Sequence, residues 1–211
     1  MQKAIIMGAG TYGQVYAEYL KAEYNVIGYI DDNENLVGNT INGIKVLGNR
    51  NFLFQNIDKN TAVFVPIGNN DIRVKLLQNL HNAGFSTPSF IHPHTQIHDS
   101  VKIGKAVYVL PATNIMPFTT IDNYVMVSIG ANIAHHNHIN EGCFFSHGVN
   151  IGAFVTIGEK AYVSAAATVI LKVKVGKNAL IGAGAVVIKD VPDNAVMAGV
   201  PAKILKYKEN C

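Results

Sequence analysis

The chain has 211 residues, 49% of them hydrophobic, with 17 Lys and Arg against 14 Asp and Glu for a formal charge of +3. That length holds one large domain or two small ones, and mild basicity without a Lys/Arg block or interleaved aromatics argues against a nucleic-acid groove. No stretch approaches the 18 or more apolar residues of a membrane span, and residues 1–10 lack the apolar region and cleavage site of a signal peptide.

In chain order, residues 3–7 predict a short strand, followed by Gly8-Ala9-Gly10-Thr11-Tyr12-Gly13 and a helical pattern through Val15, Tyr19 and Leu20. A second strand over 25–30 ends at Asp31-Asp32. A third, over 61–66, leads through Ile67-Gly68-Asn69-Asn70 into a helix over 71–83 that Gly84 stops. Strand, helix, strand, helix in this order predicts a small parallel, Rossmann-like α/β domain over residues 1–88. The G-x-G-x-x-G run sits between strand and helix with an acidic pair about 20 residues on, where glycines let backbone N–H groups approach a phosphate. Three strands are few for a full dinucleotide fold, so a mononucleotide or nucleotide-sugar is the expected ligand. The structural alternative is a tight turn without ligand, Asp31 and Asp32 starting a turn with Asn33, and Asn69 serving only as a helix cap.

The second part, residues 89–211, follows a different rule. Counting in sixes from Ile91 gives an unbroken aliphatic or aromatic column through Ile97, Ile103, Val109, Ile115, Ile121, Val127, Ile133, Ile139, Phe145, Ile151, Ile157, Val163, Val169, Val175 and Ile181 to Val187. Chance gives such a run with a probability on the order of 10⁻⁵. The position four after each column residue holds only Thr, Val, Ala, Asn or Cys, and the residue just after the column is often small, as at Gly104, Gly152, Gly158, Gly176 and Gly182. A period of six fits neither a helix nor a flat strand. It predicts a parallel β-helix that turns a corner every six residues, with residues 18 apart stacked: Ile115 under Ile133 under Ile151. With ~4.8 Å between strands the prism is roughly 27 Å long. Residues 190–194, with Pro192, are expected to break the period and form the cap.

Ala134-His135-His136-Asn137-His138 puts three of eight histidines within four residues, bracketed by the inward Ile133 and Ile139. Imidazole on an accessible ledge takes a proton near neutral pH. A single surface histidine is usually only solvated; the cluster favours function. His92, His94, His98 and His81 are read as structural or solvent-facing, and Cys143 as a core filler. Cys143 and Cys211 are too few for a disulfide framework, which suits a reduced cytoplasm.

The prism, the Gly-rich loop, Asp31-Asp32, Ile67-Gly68-Asn69-Asn70 and the closing residues 198–203 together resemble the bacterial left-handed β-helix sugar acyltransferases. The resemblance is to the sialic acid O-acetyltransferase type, a family that includes N-acetyltransferases of nucleotide-linked 4-amino-sugars, and it spans about residues 3–205. It implies a homotrimer, acetyl-CoA in the groove between two prisms, no metal, and a catalytic histidine matching His135. The acidic residue that often follows that histidine is here His136, which leaves open whether His136 or Asn137 orients the base. A second family histidine at the acetyl group falls at Phe144, with His147 nearby. Positions lining CoA fall at Ala153, Ala165 and Ala183. The resemblance further implies that Gly8, Gly10, Thr11, Tyr12, Gly68 and Asn69 hold the nucleotide-sugar and that Asp31-Asp32 read its base. The expected activity is N-acetylation of a nucleotide-linked amino-sugar; the rivals are sugar O-acetylation and a zinc β-helix enzyme of the carbonic anhydrase type.

Overall fold

The structure, a computed structural model, describes residues 1–209; Cys211 lies outside them. Two compact units follow each other, Met1–Pro88 and the chain from Ser89 onward.

The first unit is built on β1 (Gln2–Met7), α1 (Thr11–Leu20), β2 (Tyr24–Ile30), β3 (Thr40–Ile41), β4 (Ile44–Gly48), α2 (Arg50–Asn56), β5 (Ala62–Phe64) and α3 (Asn70–Asn82). The sheet order is β3-β4-β2-β1-β5, parallel throughout except for the β3–β4 hairpin. The sheet is therefore mixed and two strands larger than the sequence reading. The missed hairpin turns on Asn42-Gly43, both with positive φ (48° and 78°), the conformation that two-residue hairpins require. Ile44 and Val46 then point into the core with Lys45 outside, and Asn49 caps α2 by accepting the Phe52 N–H at 3.2 Å. Gly8 needs its glycine for φ +93°, and a Cβ on Gly13 would run into the Gly8 carbonyl.

The second unit is a left-handed parallel β-helix of seventeen two-residue strands, from Phe90–Ile91 to Val186–Val187. Three sheets form its faces. The first carries Asn114, Asn132 and Asn150 outward, the second Thr120, His138 and Thr156, and the third Tyr108, Met126 and Phe144. Register is 18 residues throughout: Ile115 pairs with Ile133, and Ile133 with Ile151. From Val109 on, the whole column is buried in one core with the small residues four positions later. Ile91, Ile97 and Ile103 are not fully buried, because the first coil has no coil beneath it.

The glycines just after the column serve a purpose other than bending. A Cβ on Gly152 or Gly158 would sit 2.5 Å from the amide nitrogen of Leu171 or Lys177 in the following coil. The left-handed corner lies two residues later, where the chain accepts side chains: Phe118 (φ 63°), His136 (57°), Phe154 (59°) and Lys172 (64°).

At the far end the ladder runs past Pro192 instead of stopping there. Val191 bridges Val175, Ala195–Ala198 pairs with Leu180–Ile181, and Lys203–Tyr207 closes antiparallel on Ala195–Ala198. Pro192 lacks an N–H, yet its neighbours supply acceptors to the coil below: the Asp190 and Asp193 carboxylates take the Lys174 and Lys177 N–H groups at 2.8 and 2.7 Å.

Gly158→Ala should therefore lower stability by about 1–3 kcal/mol through overpacking. Gly184→Asn, at a left-handed corner with open space, should stay within about 0.5 kcal/mol. Urea denaturation of the two variants checks this, and equal losses would contradict the coil-spacing account.

Candidate functional site

In the first unit the Gly-rich loop opens α1 with Gly10 at its N-cap, a residue that brings no capping side chain of its own. That end of the helix has the donors and dipole that bind anions. Thr11 is exposed; Tyr12 is half-buried beside Gly68, whose added Cβ would lie 3.2 Å from its ring. Asp31 ties down the loop: one carboxylate oxygen accepts the Ala9 N–H at 2.8 Å, the other the Asn33 N–H at 2.9 Å. Asp32 accepts the Arg50 N–H at 3.1 Å and pairs with Arg50 Nε at 2.8 Å. Asn69 caps α3 by accepting the Ile72 N–H at 3.0 Å. Met7, Gly8, Ile30, Asp31, Asp32 and Ile67 line a cleft where β1 and β2 end. Both aspartates thus carry local structural duties, and Arg50 is a member of this cluster that the sequence did not suggest.

In the second unit the histidines separate. His135 and His136 sit on the corner between the first and second faces, His135 half-buried and His136 exposed. Their Nδ1 atoms lie 2.9 Å apart. His136 packs between Phe118 and Phe154, each with its ring centroid 4.8 Å away, stacked at 21° on Phe154. Phe154 also meets His135 edge-on at 5.3 Å. His138 belongs to the second face and pairs with Asp122 at 3.0 Å.

Asn137 points inward and is buried. Its amide donates to the Ala134 carbonyl at 2.6 Å, and its carbonyl accepts the Val155 N–H at 2.7 Å. Its own N–H meets Thr119 Oγ1 at 3.3 Å, so Asn137 stiffens the corner and does not orient His135.

Ala153 lies on the His135 edge, one coil on. His147, Ala165 and Ala183 lie on the other edge of the first face. Phe144, expected near the acetyl group, offers no surface to a ligand: it is 0% exposed, its ring 4.8 Å from Tyr162. His92 Nδ1 accepts the His94 N–H at 3.1 Å and His98 Nδ1 the Ser100 N–H at 3.2 Å, so both hold turns. Cys143 fills the core, its Sγ 3.0 Å from the Gly158 carbonyl. Among the described residues no group of three or more His, Cys, Asp or Glu is arranged to hold a metal, and no helix is long and apolar enough to cross a membrane.

Residues 3–80 match the family model of the PglD N-terminal domain. Solved structures match nearly the whole chain. GDP-perosamine N-acetyltransferase from Caulobacter crescentus, in complex with CoA and GDP-perosamine, is 28% identical with a TM-score of 0.91, each chain covered to 98%. The acetyltransferase domain of PglB from Neisseria gonorrhoeae, in complex with acetyl coenzyme A, is 29% identical with a TM-score of 0.91, over 97% of this chain and 99% of that one. WeeI from Acinetobacter baumannii is 26% identical with a TM-score of 0.89, over 97% and 100%. No curated protein matches in sequence. The first unit is thus similar to a PglD N-terminal domain, and the chain as a whole shares the left-handed β-helix architecture of these acetyltransferases.

Because Asp31 holds the Ala9 N–H of the loop and the Asn33 N–H of its own turn, Asp31→Ala should lower stability by about 1–3 kcal/mol, the penalty for freed donors. Thermal denaturation without any ligand measures this, and an unchanged midpoint would mean that the loop holds itself.

Proposed function

We propose that the chain is an acetyl-CoA-dependent N-acetyltransferase acting on the amino group of a nucleotide-linked 4-amino-sugar. The observation that carries this reading is the His135 corner, a half-buried imidazole with one nitrogen fixed at 2.9 Å, on a fold whose whole-length neighbours include a GDP-perosamine N-acetyltransferase solved with CoA and GDP-perosamine. Two of those Caulobacter structures carry a single histidine replaced, by alanine in one and by asparagine in the other.

In this reading the first unit grips the nucleotide at the Gly-rich loop, with the diphosphate on the first-turn N–H groups of α1. The sugar amine attacks the thioester carbonyl carbon. A C–N bond forms and the C–S bond breaks; the amine proton passes to His135 and from it to the departing sulfur, so that CoA leaves as its thiol and His135 returns to its neutral form. Holding both reactants in place supplies much of the acceleration as effective molarity. An unprotonated amine is already a good nucleophile, so the base has less to do than it would for a hydroxyl.

His135 with Ala153, and His147 with Ala165 and Ala183, occupy opposite edges of one face. That separation supports a homotrimer with acetyl-CoA between neighbouring prisms, one subunit lending the His135 edge and the next lending the other. The exposed Met116, Phe118, Phe154 and Leu171 run along the His135 edge and suit burial against a second prism. The paucity of cysteine suits a cytoplasmic enzyme.

Acetyl-CoA consumption with a panel of UDP-, dTDP- and GDP-linked 4-amino-sugars tests the reading; thiol release with none of them would end it. His135→Ala should lower kcat by about 10²–10⁴-fold, the usual worth of general-base help. In sedimentation the full chain should run as a species three times 22.8 kDa.

A further inference from the structure

Given the base role just assigned to His135, we propose that His136 is its positioning residue: a neutral acceptor that holds the proton of His135 on Nδ1, where an acidic side chain would otherwise stand. The inference starts from the 2.9 Å between the two Nδ1 atoms. Two ring nitrogens that close form a hydrogen bond only if one carries a proton and the other a lone pair. A histidine that takes a proton from the substrate through Nε2 must keep its own proton on Nδ1. His135 Nδ1–H therefore donates, and His136 accepts through Nδ1 with its proton on Nε2. The reverse arrangement leaves His135 with Nε2–H and no lone pair for the amine.

Several constraints hold His136 in this pose. Its backbone is left-handed at φ 57°, and its N–H donates to the Pro117 carbonyl at 3.1 Å. Its ring is sandwiched by Phe118 and Phe154. The His135 carbonyl accepts the Phe154 N–H at 3.2 Å, which locks the pair to the next coil. The groups stacked against the pair on this edge, Pro117, Phe118, Ala153 and Phe154, are uncharged; the cation on the same column is Lys172, one coil beyond Phe154. His136 is thus the titratable group in contact with His135, and a neutral ring gives direction without adding negative charge.

Three variants separate direction from packing. His136→Phe keeps the aromatic sandwich and removes the acceptor; kcat should fall about 10²-fold, the scale of a misplaced catalytic group, with KM for acetyl-CoA within about twofold. His136→Asn sets Oδ1 where Nδ1 stood, tolerates left-handed backbone, and should keep kcat within about fivefold. His136→Asp restores a carboxylate and should move the acid limb of the kcat/KM profile up by about one pH unit, since an adjacent negative charge favours imidazolium. Wild-type kcat and pH profile in His136→Phe, with His135→Ala inactive, would overturn this inference and leave the base role standing. Near-normal activity in His135→Ala would instead overturn the base role. Imidazole ¹⁵N spectra of the wild-type full chain give a readout without activity: His135 should appear as the Nδ1–H tautomer, and an Nε2–H form would overturn the proposal even where a variant fails to fold.

Discussion

The 18-residue hydrogen-bond register governs everything else in the second unit. Each strand is two residues long, so a coil is tied to the next by a few bonds per face, such as Asn132 N–H to the Val149 carbonyl and Asn150 N–H to the Ala167 carbonyl. No strand is long enough to stand alone. Stability comes from repetition, each coil bonding only its neighbours. An inserted or deleted residue would turn every later column from core to surface, which explains why the aliphatic column tolerates no gap across half the chain.

The same register explains what the sequence disclosed. A core that repeats every six residues writes its period directly into the chain, so the prism, its column and its stacking partners were readable without coordinates. The first unit has no such ruler. Residues 40–56 carry a hairpin and a short helix that strand-helix alternation passed over, although Asn42-Gly43 and the inward Ile44 and Val46 marked the hairpin. Asp31 and Asp32 were read toward a ligand, while the structure gives both of them backbone donors to hold. Sequence shows that an acid follows a strand; it does not show which nearby N–H lacks a partner.

At the histidine corner, composition located the cluster but not its division of labour. His135, His136, Asn137 and His138 are consecutive, yet they stand as half-buried imidazole, sandwiched partner, buried corner bolt and surface ion pair. Alternation between inside, corner and face separates them. Phe118 and Phe154 went unnoticed because they are 18 residues either side of His136, remote in sequence and adjacent in space. Applying the stacking distance to the corner as well as to the core would have found both. Phe144 shows the converse error: counting along the chain placed a family contact there, but that residue faces a side of the prism where the ring is wholly enclosed.

The left-handed corner residues have a wider consequence. Backbone shape at that site is dictated by the coils above and below, so Phe, Lys, Ala, His, Asn and Gly all occupy it without altering the path. Such a site behaves as a socket: its occupant can be swapped by a single codon change while the scaffold stays put. A lineage built on this prism can therefore change the side chain that stands beside His135 one step at a time, without first inventing a new frame.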